Sequence, residues 1–476
     1  MAYSFEDAVD KILQKNDDYP ADAYYFIRAA LDATVEQCRK PAENPHLSAE
    51  ELYFGFCAYA LEEYGPLALA VMEQWGITES THVGDLVYNL IEVGVFGKQE
   101  GDRREQFDGL TPVAVLLDAP YETINAYANT MSNDAMQGTE LRWPAEWEPM
   151  EAVWLSWPHR DDLWQGGLQE LHGRYAELAA AIANEAEVRI NAAAPLHAGI
   201  EKLLRSRGVQ RFRLYDHPTN DVWCRDHGPI FTKRKDGGMQ LANWTFNAWG
   251  GKFAPWNLDN EVPARIAASL GLPQLCSDII LEGGAIEGNG EGLVLTTEAV
   301  LLNPNRNPGC TKADIEAEMH RLLGTTHVFW LGSGIEGDDT DGHIDDMVRF
   351  VNPEAVVSIV EPDPHSPHYR ALAENNERLQ DLRTPSGHRV EIIPLPMPQP
   401  LVAQDWRLEQ LLASYANFLI CNGSVIVPIF MQDKEDDRAL GILREAFPGR
   451  RVVGIDARRL VIEGGAIHCI TQQQPK

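Results

Sequence analysis

Val461-Ile462-Glu463-Gly464-Gly465-Ala466-Ile467-His468-Cys469-Ile470 contains a pentapeptide, Glu-Gly-Gly-Ala-Ile, that also occurs at residues 282–286. Each copy follows an apolar pair, Ile280-Leu281 in one case and Val461-Ile462 in the other. The echo predicts a repeated supersecondary unit. In that unit an apolar strand ends at a Gly-Gly bend, which residues carrying a Cβ resist, and polar side chains project into a shared cavity. One copy offers Glu282, the other His468 and Cys469. A thiol attacks only as the thiolate, so Cys469 needs a base or a lowered pKa to act. Taken singly it reads as a buried structural cysteine.

Working outward, apolar runs at Ala152–Ser156, Val188–Ala192, Leu293–Thr297, Val356–Val360, Phe418–Ile420, Ser424–Val427 and Arg451–Ile455 alternate with helical patterns. The helical stretches are Leu168–Asn184, Leu196–Arg207, Lys312–Leu323 and His368–Leu382. That alternation predicts an α/β domain. Residues 1–108 read differently, as a small helical domain whose apolar residues recur at helical spacing (Phe5, Val9, Ile12, Leu13). Pro41, Pro45 and Gly65-Pro66 break its helices. Residues 109–140 mix a short apolar patch, Val113 to Leu117, with a polar run, and read as a linker. The catalytic candidate then spans 141–476.

The chain has 476 residues, 44% hydrophobic and 23% charged, with a net charge of −31. This acidity argues against a nucleic-acid partner and suits a cationic small molecule. No apolar run is long enough to span a membrane, and the first fifteen residues lack a signal-peptide core. Seven dispersed cysteines without a C-x-x-C pair suggest reduced thiols in a cytoplasmic protein and no structural zinc.

Four stretches concentrate chemistry: Asp221 to Pro229 (with Trp223, Arg225, Asp226), Leu281 to Gly284, Asp338 to Asp346, and Gly465 to Cys469. If His343-Ile344-Asp345 is a strand, its alternation puts the histidine and the aspartate on one face. Trp223 reads as wall packing with a cation–π contribution. Singly, each residue has an ordinary structural reading: Asp226 in an ion pair with Arg225, His343 in the core, Glu282 or Asp339 in a turn. Cys469, His343 and Asp345 also suit a metal by ligand type, yet no second ligand cluster accompanies them, so neither metal nor cofactor is expected.

These stretches, with Trp143–Pro149, Trp154–His159, Phe246–Gly251, Pro255–Asp259 and Ile467–Pro475, make residues 141–475 resemble the agmatine deiminases. That family sits in a guanidine-modifying superfamily with arginine and peptidylarginine deiminases and amidinotransferases. The resemblance implies a five-bladed α/β propeller, the pentein fold, with its site at the centre. It implies Asp226 and Asp345 as carboxylates clamping the guanidinium, Cys469 as nucleophile, His343 as acid and then base, Glu282 as the histidine's partner, and Asp339 near the substrate. The chemistry is coherent: a guanidinium is planar and cationic, and carboxylates take its N–H donors in pairs. Residues 1–108 resemble a small uncharacterised helical family, which marks a domain and no activity. The implied reaction is hydrolysis of agmatine to N-carbamoylputrescine and ammonia. The alternatives are a peptidylarginine deiminase, another guanidine hydrolase or an amidinotransferase, and, in a different class, a guanidine-binding scaffold whose helical domain is the interacting part. Self-association stays open.

Overall fold

The computed structural model describes residues 5–16, 18–37, 47–64, 68–98, 102–110, 112–114, 117, 141–164, 167–401 and 411–476. The helix breaks expected at Pro41, Pro45 and Gly65-Pro66 lie outside the described residues, as does 118–140 of the expected linker. The chain forms two compact units, Met1–Gly138 and Thr139–Lys476.

The first unit contains helices Phe5–Leu13, Ala21–Gln37, Ala49–Tyr64, Ala68–Gln74 and Ser80–Glu92. In the last of these, Val83, Leu86, Val87 and Leu90 fall on one face and are buried. Burying one such side chain contributes roughly 1.5–3 kcal/mol. Gly84 lets Phe107 lie against that helix, since a Cβ there would sit 3.0 Å from the ring. Val113 and Leu117 belong to the same core. The helical unit therefore runs past residue 108, because Val113 and Leu117 of the short apolar patch read as linker are buried in its core.

Among the described residues the second unit holds five sheets that repeat one plan. Two strands pair antiparallel, a helix follows, and the next strand pairs parallel with the second. The antiparallel pairs are Ile230–Arg234 with Met239–Thr245, Ile286–Gly288 with Leu293–Thr297, Val348–Asn352 with Ala355–Val360, and Leu419–Cys421 with Ser424–Ile429. The parallel partners are Gln274–Ile280, His327–Leu331, Glu391–Pro396 and Arg451–Asp456. In the fifth sheet the pair joins the two ends of the unit: Thr471–Pro475 lies antiparallel to Met150–Ser156. Glu187–Ala192 and Phe212–Asp216 continue that sheet in parallel. The C-terminal strand is thus hydrogen-bonded into a sheet begun more than 300 residues earlier, which fixes Cys469 just ahead of it.

Middle strands such as Ala355–Val360 are buried along almost their whole length, which makes them near-continuous apolar runs. Two local expectations fail. Val461-Ile462 is no strand end but the start of a 3-10 turn, Val461–Glu463. His343-Ile344-Asp345 is no strand either: His343 caps a 3-10 turn over Ile344–Asp346, and the strand begins only at Val348. Asp338 explains the second case. Its carboxylate accepts from the His343 N–H (3.2 Å) and the Thr340 N–H (2.8 Å), and these bonds curl the segment.

Candidate active site

The repeat places chemistry at one recurring point, the few residues ahead of each sheet's first strand. Asp226 precedes Ile230–Arg234, Glu282 precedes Ile286–Gly288, His343 and Asp345 precede Val348–Asn352, and Cys469 precedes Thr471–Pro475. These segments are also tied to one another. The Arg225 N–H donates to the Cys469 carbonyl at 3.0 Å, and its guanidinium donates to Gln473 (2.7 Å) and Gln472 (3.0 Å). The Gly284 N–H donates to Asp226 Oδ1 at 3.0 Å.

Gly284 marks where the groups converge. A Cβ on it would lie 2.6 Å from His343 Nδ1, 2.8 Å from Asp226 Oδ1 and 3.2 Å from Asp345 Oδ2. His343 Nδ1 is 3.7 Å from Asp226 Oδ1, and its Nε2 is 3.9 Å from Glu282 Oε2. These are ion-pair separations, too long for hydrogen bonds. Glu282 takes its close hydrogen bond from Arg306 Nε, at 2.6 Å. The carboxylate expected as the histidine's partner is therefore shared with a buried arginine. Asp345 Oδ2 is 3.7 Å from Cys469 Sγ.

Burial and charge set the protonation. Burial would lower His343, but the Asp226, Glu282 and Asp345 carboxylates raise it to about 10, a cation at neutral pH. Burial raises Asp226 to about 6 against the opposing pull of His343. Asp345 is buried too, yet its bond to His468 leaves it below the ordinary carboxylate value. Cys469 is pushed well above an ordinary thiol, by burial first and then by Asp345, Asp346 and Asp226. Hence the thiol needs positive charge or hydrogen-bond donors nearby to ionise.

Cys469, Asp226, Trp223 and Asp339 line a cavity of about 220 Å³, with Glu463 and Thr340 also on its wall. All seven expected residues lie together: Cys469, Asp226, Trp223 and Asp339 on the cavity wall, Asp345 and His343 around Gly284, and Glu282 beside His343. Lys252, on the same wall, is neutralised by Asp341 at 2.7 Å. Among the described residues, the buried atoms His343 Nδ1 and Nε2, Glu282 Oε2 and Asp345 Oδ1 have no hydrogen-bond partner. The carboxylate oxygens can accept from a planar array of N–H donors, whereas the cationic imidazole can only donate.

Other contributors were given no catalytic role from the sequence. Trp249 Nε1 donates to Asp226 Oδ2 at 3.0 Å, from a left-handed backbone position (φ 56°). It lies in the Phe246–Gly251 stretch that carries the resemblance, with no role read for it. His468 faces Asp345 Oδ2 at 2.7 Å through Nδ1 and Glu146 Oε2 at 2.9 Å through Nε2. Its place beside Cys469 was visible, but its partners were not. Asn417 donates to Cys469 Sγ at 3.0 Å, and nothing in Ala416-Asn417-Phe418 signals this. Among the described residues, Asp345, Asp346 and Cys469 bring potential metal donors within 4.8 Å. Their atoms already receive hydrogen bonds from His468 and Asn417. No helix among the described residues is long and apolar enough to cross a membrane.

A family model for Porphyromonas-type peptidyl-arginine deiminase matches residues 142–475. The agmatine deiminase of Medicago truncatula is 38% identical over 361 residues, 70% of this chain and 96% of the relative. That of Pseudomonas syringae pv. tomato is 35% identical over 366 residues, 73% and 98% of the two chains. Among solved structures, the agmatine deiminase of Enterococcus faecalis superposes with a TM-score of 0.67 at 33% identity, covering 72% of this chain and 98% of its own. A cysteine-to-serine variant of C. jejuni agmatine deiminase, with substrate bound, gives 0.64 at 32% identity, covering 71% and 96%.

Proposed function

The chain belongs to the agmatine deiminase family, and on that premise we propose that it hydrolyses agmatine to N-carbamoylputrescine and ammonia. The carrying observation is the convergence of Asp226, Asp345 and His343 around Gly284, with Cys469 Sγ 3.7 Å from Asp345, at a buried site with unsatisfied carboxylate and imidazole atoms. Asp226 and Asp345 take the N–H donors of the guanidinium, and Trp223 packs on it. The bound cation lowers the cost of ionising Cys469, whose proton leaves to solvent through the cavity.

The sulphur then forms a bond to the guanidine carbon. As the C–N bond breaks, His343 gives its proton to the departing ammonia. A covalent thiouronium remains on Cys469. Water attacks that carbon while His343 takes back a proton, and the thiolate leaves from the carbamoyl product. Glu282 holds His343 in its cationic form between turnovers. Asp339 and Glu463 on the cavity wall suit the distal ammonium of agmatine, where arginine would place a carboxylate without a partner.

A panel of agmatine, free arginine and a peptidyl-arginine, with ammonia as the readout, tests this reading. Agmatine is expected to have the highest kcat/KM, and Cys469→Ala to be inactive. Preference for a peptide would move the assignment to a peptidylarginine deiminase. Ammonia release by Cys469→Ala within about tenfold of the parent would remove the cysteine from the chemistry. Acid quenching during turnover should leave the amidino carbon on Cys469, detectable by mass spectrometry. The six described cysteines are free thiols, which fits a reducing cytoplasmic setting and polyamine metabolism there. The helical unit contributes none of these residues, so a chain beginning near Gln137 should keep its kcat/KM for agmatine.

A further inference from the structure

Four of the five sheets carry a site residue just ahead of their first strand, and the sheet that opens at Leu419–Cys421 carries Asn417 at that point. We infer that Asn417 is a catalytic residue, whose amide N–H stabilises the thiolate of Cys469. The inference rests on Cys469 being the nucleophile and adds a donor that composition and motif do not reveal.

The orientation of the amide follows from its partners. Asn417 is fully buried, and the backbone N–H groups of His468 (2.9 Å) and Cys469 (3.3 Å) both point at one end of its amide. Backbone N–H groups only donate, so that end is the oxygen. The NH2 must therefore face the other side, where Cys469 Sγ lies at 3.0 Å and Asp346 Oδ1 at 3.0 Å. All the amide's hydrogen-bonding capacity is directed, and a donor is aimed at the reacting atom.

The segment is held in place as well. Arg349, itself buried, donates to the carbonyls on both sides of Asn417, Phe418 at 2.6 Å and Ala416 at 3.1 Å. The same guanidinium is fixed by Glu287 and Glu146, each at 3.0 Å. A donor so held needs no reorganisation when negative charge develops on sulphur. The need is evident from the surroundings, since Asp345, Asp346 and Asp226 all oppose ionisation of this thiol. During turnover the Asn417 contact would strengthen as the S–H proton leaves for solvent. It would weaken as the S–C bond forms and return when the thiolate is expelled.

The test measures the pH dependence of iodoacetamide alkylation at Cys469 in the substrate-free full chain, followed by peptide mass spectrometry, alongside ammonia release from agmatine. In Asn417→Ala the alkylation midpoint should move up by about one pH unit or more. Its kcat should fall about a hundredfold with KM for agmatine little changed. An unmoved midpoint in a variant that melts like the parent overturns the inference. Should the alanine variant fail to fold, Asn417→Asp decides: it still accepts from both backbone N–H groups but presents oxygen to the sulphur. Slower alkylation supports the inference; parental or faster alkylation sinks it. A parent chain that alkylates as expected yet releases no ammonia from agmatine would instead refute the activity.

Discussion

The two Glu-Gly-Gly-Ala-Ile copies share five residues and differ in almost everything those residues do. In the first, Glu282 caps a 3-10 turn over Gly283–Ala285, is wholly buried, and bonds Arg306. In the second, Glu463 ends a 3-10 turn over Val461–Glu463 and lines the cavity, and Gly464 follows in the left-handed region (φ 96°). The glycines diverge likewise. Gly284 is surrounded by ionised side chains, whereas a Cβ on Gly465 would meet the Trp223 ring at 2.3 Å and Cys469 Cβ at 3.0 Å. One copy shapes the electrostatics around His343, the other lies against Cys469 and the Trp223 ring. The lesson is that the pentapeptide encodes close backbone approach, while the role comes from what approaches.

The largest effect should come from Gly284→Ala. Its methyl would displace His343, Asp226 or Asp345 by a substantial fraction of an ångström, and kcat/KM for agmatine should fall about a hundredfold or more. Gly465→Ala should cost less, about tenfold, because an indole ring can tilt where three opposed charges have little freedom. Equal losses in the two variants would break the comparison.

Next in size is the pair of glutamates. Glu282→Gln takes from buried Arg306 one of its two carboxylates at 2.6 Å, the other being Asp341, a change that destabilises by up to about 3 kcal/mol. Melting temperature and kcat should both drop. Glu463→Gln should alter stability by no more than about 0.5 kcal/mol and act, if at all, on KM for agmatine. A melting temperature for Glu282→Gln equal to that of Glu463→Gln would contradict the difference in burial.

The same pair should separate in pH dependence. His343 is raised from 6.5 to about 10, so its ionic contribution to stability is fully present below 6.5 and is lost as pH rises through about 10. Glu282→Gln removes one carboxylate that raises it, so the loss should be smaller and complete at lower pH. Glu463→Gln should leave its extent unchanged. Melting curves between neutral pH and pH 10 would show it, and an unchanged loss in Glu282→Gln would detach Glu282 from His343.

Smallest should be Gly464→Ala. Only Asp339 Oδ2, at 3.8 Å, would approach the new methyl, so the cost is conformational, about 1–2 kcal/mol. Chemical denaturation should register it while kcat/KM stays within about twofold of the parent. A large activity loss here would mean that Gly464, too, supports the reacting groups.

The α/β alternation was legible because the central strands are buried on both faces. Ala355–Val360 and Ser424–Ile429 carry only apolar or small residues for that reason. Strands Phe212–Asp216, Gln274–Ile280, His327–Leu331 and Glu391–Pro396 escaped notice, and each stands at the edge of its sheet. Half-exposed edges admit charges such as Arg213 and Asp278, which blur the apolar signal. The reading of His343 to Asp345 as a strand failed because a side chain, Asp338, bonds the backbone in place of a neighbouring strand.

The sequence by itself determined the reactants: a thiol, an imidazole and carboxylates set among glycines, the set that guanidine chemistry requires, and a resemblance that assigned their roles. Tertiary structure alone decided which glutamate is buried and which lines the cavity. It also joined the last strand to Met150–Ser156 and brought Asn417 to Cys469, His468 to Asp345 and Glu146 to His468. The physical reason is range. A residue's type fixes what it can donate or accept, but its charge state and partners depend on desolvation and on groups brought near from distant parts of the chain. Arg306 and Glu282 are 24 positions apart, Asn417 and Cys469 are 52, and Glu146 and His468 are 322. No local pattern records those separations, because packing five similar sheets around one site is what closes them.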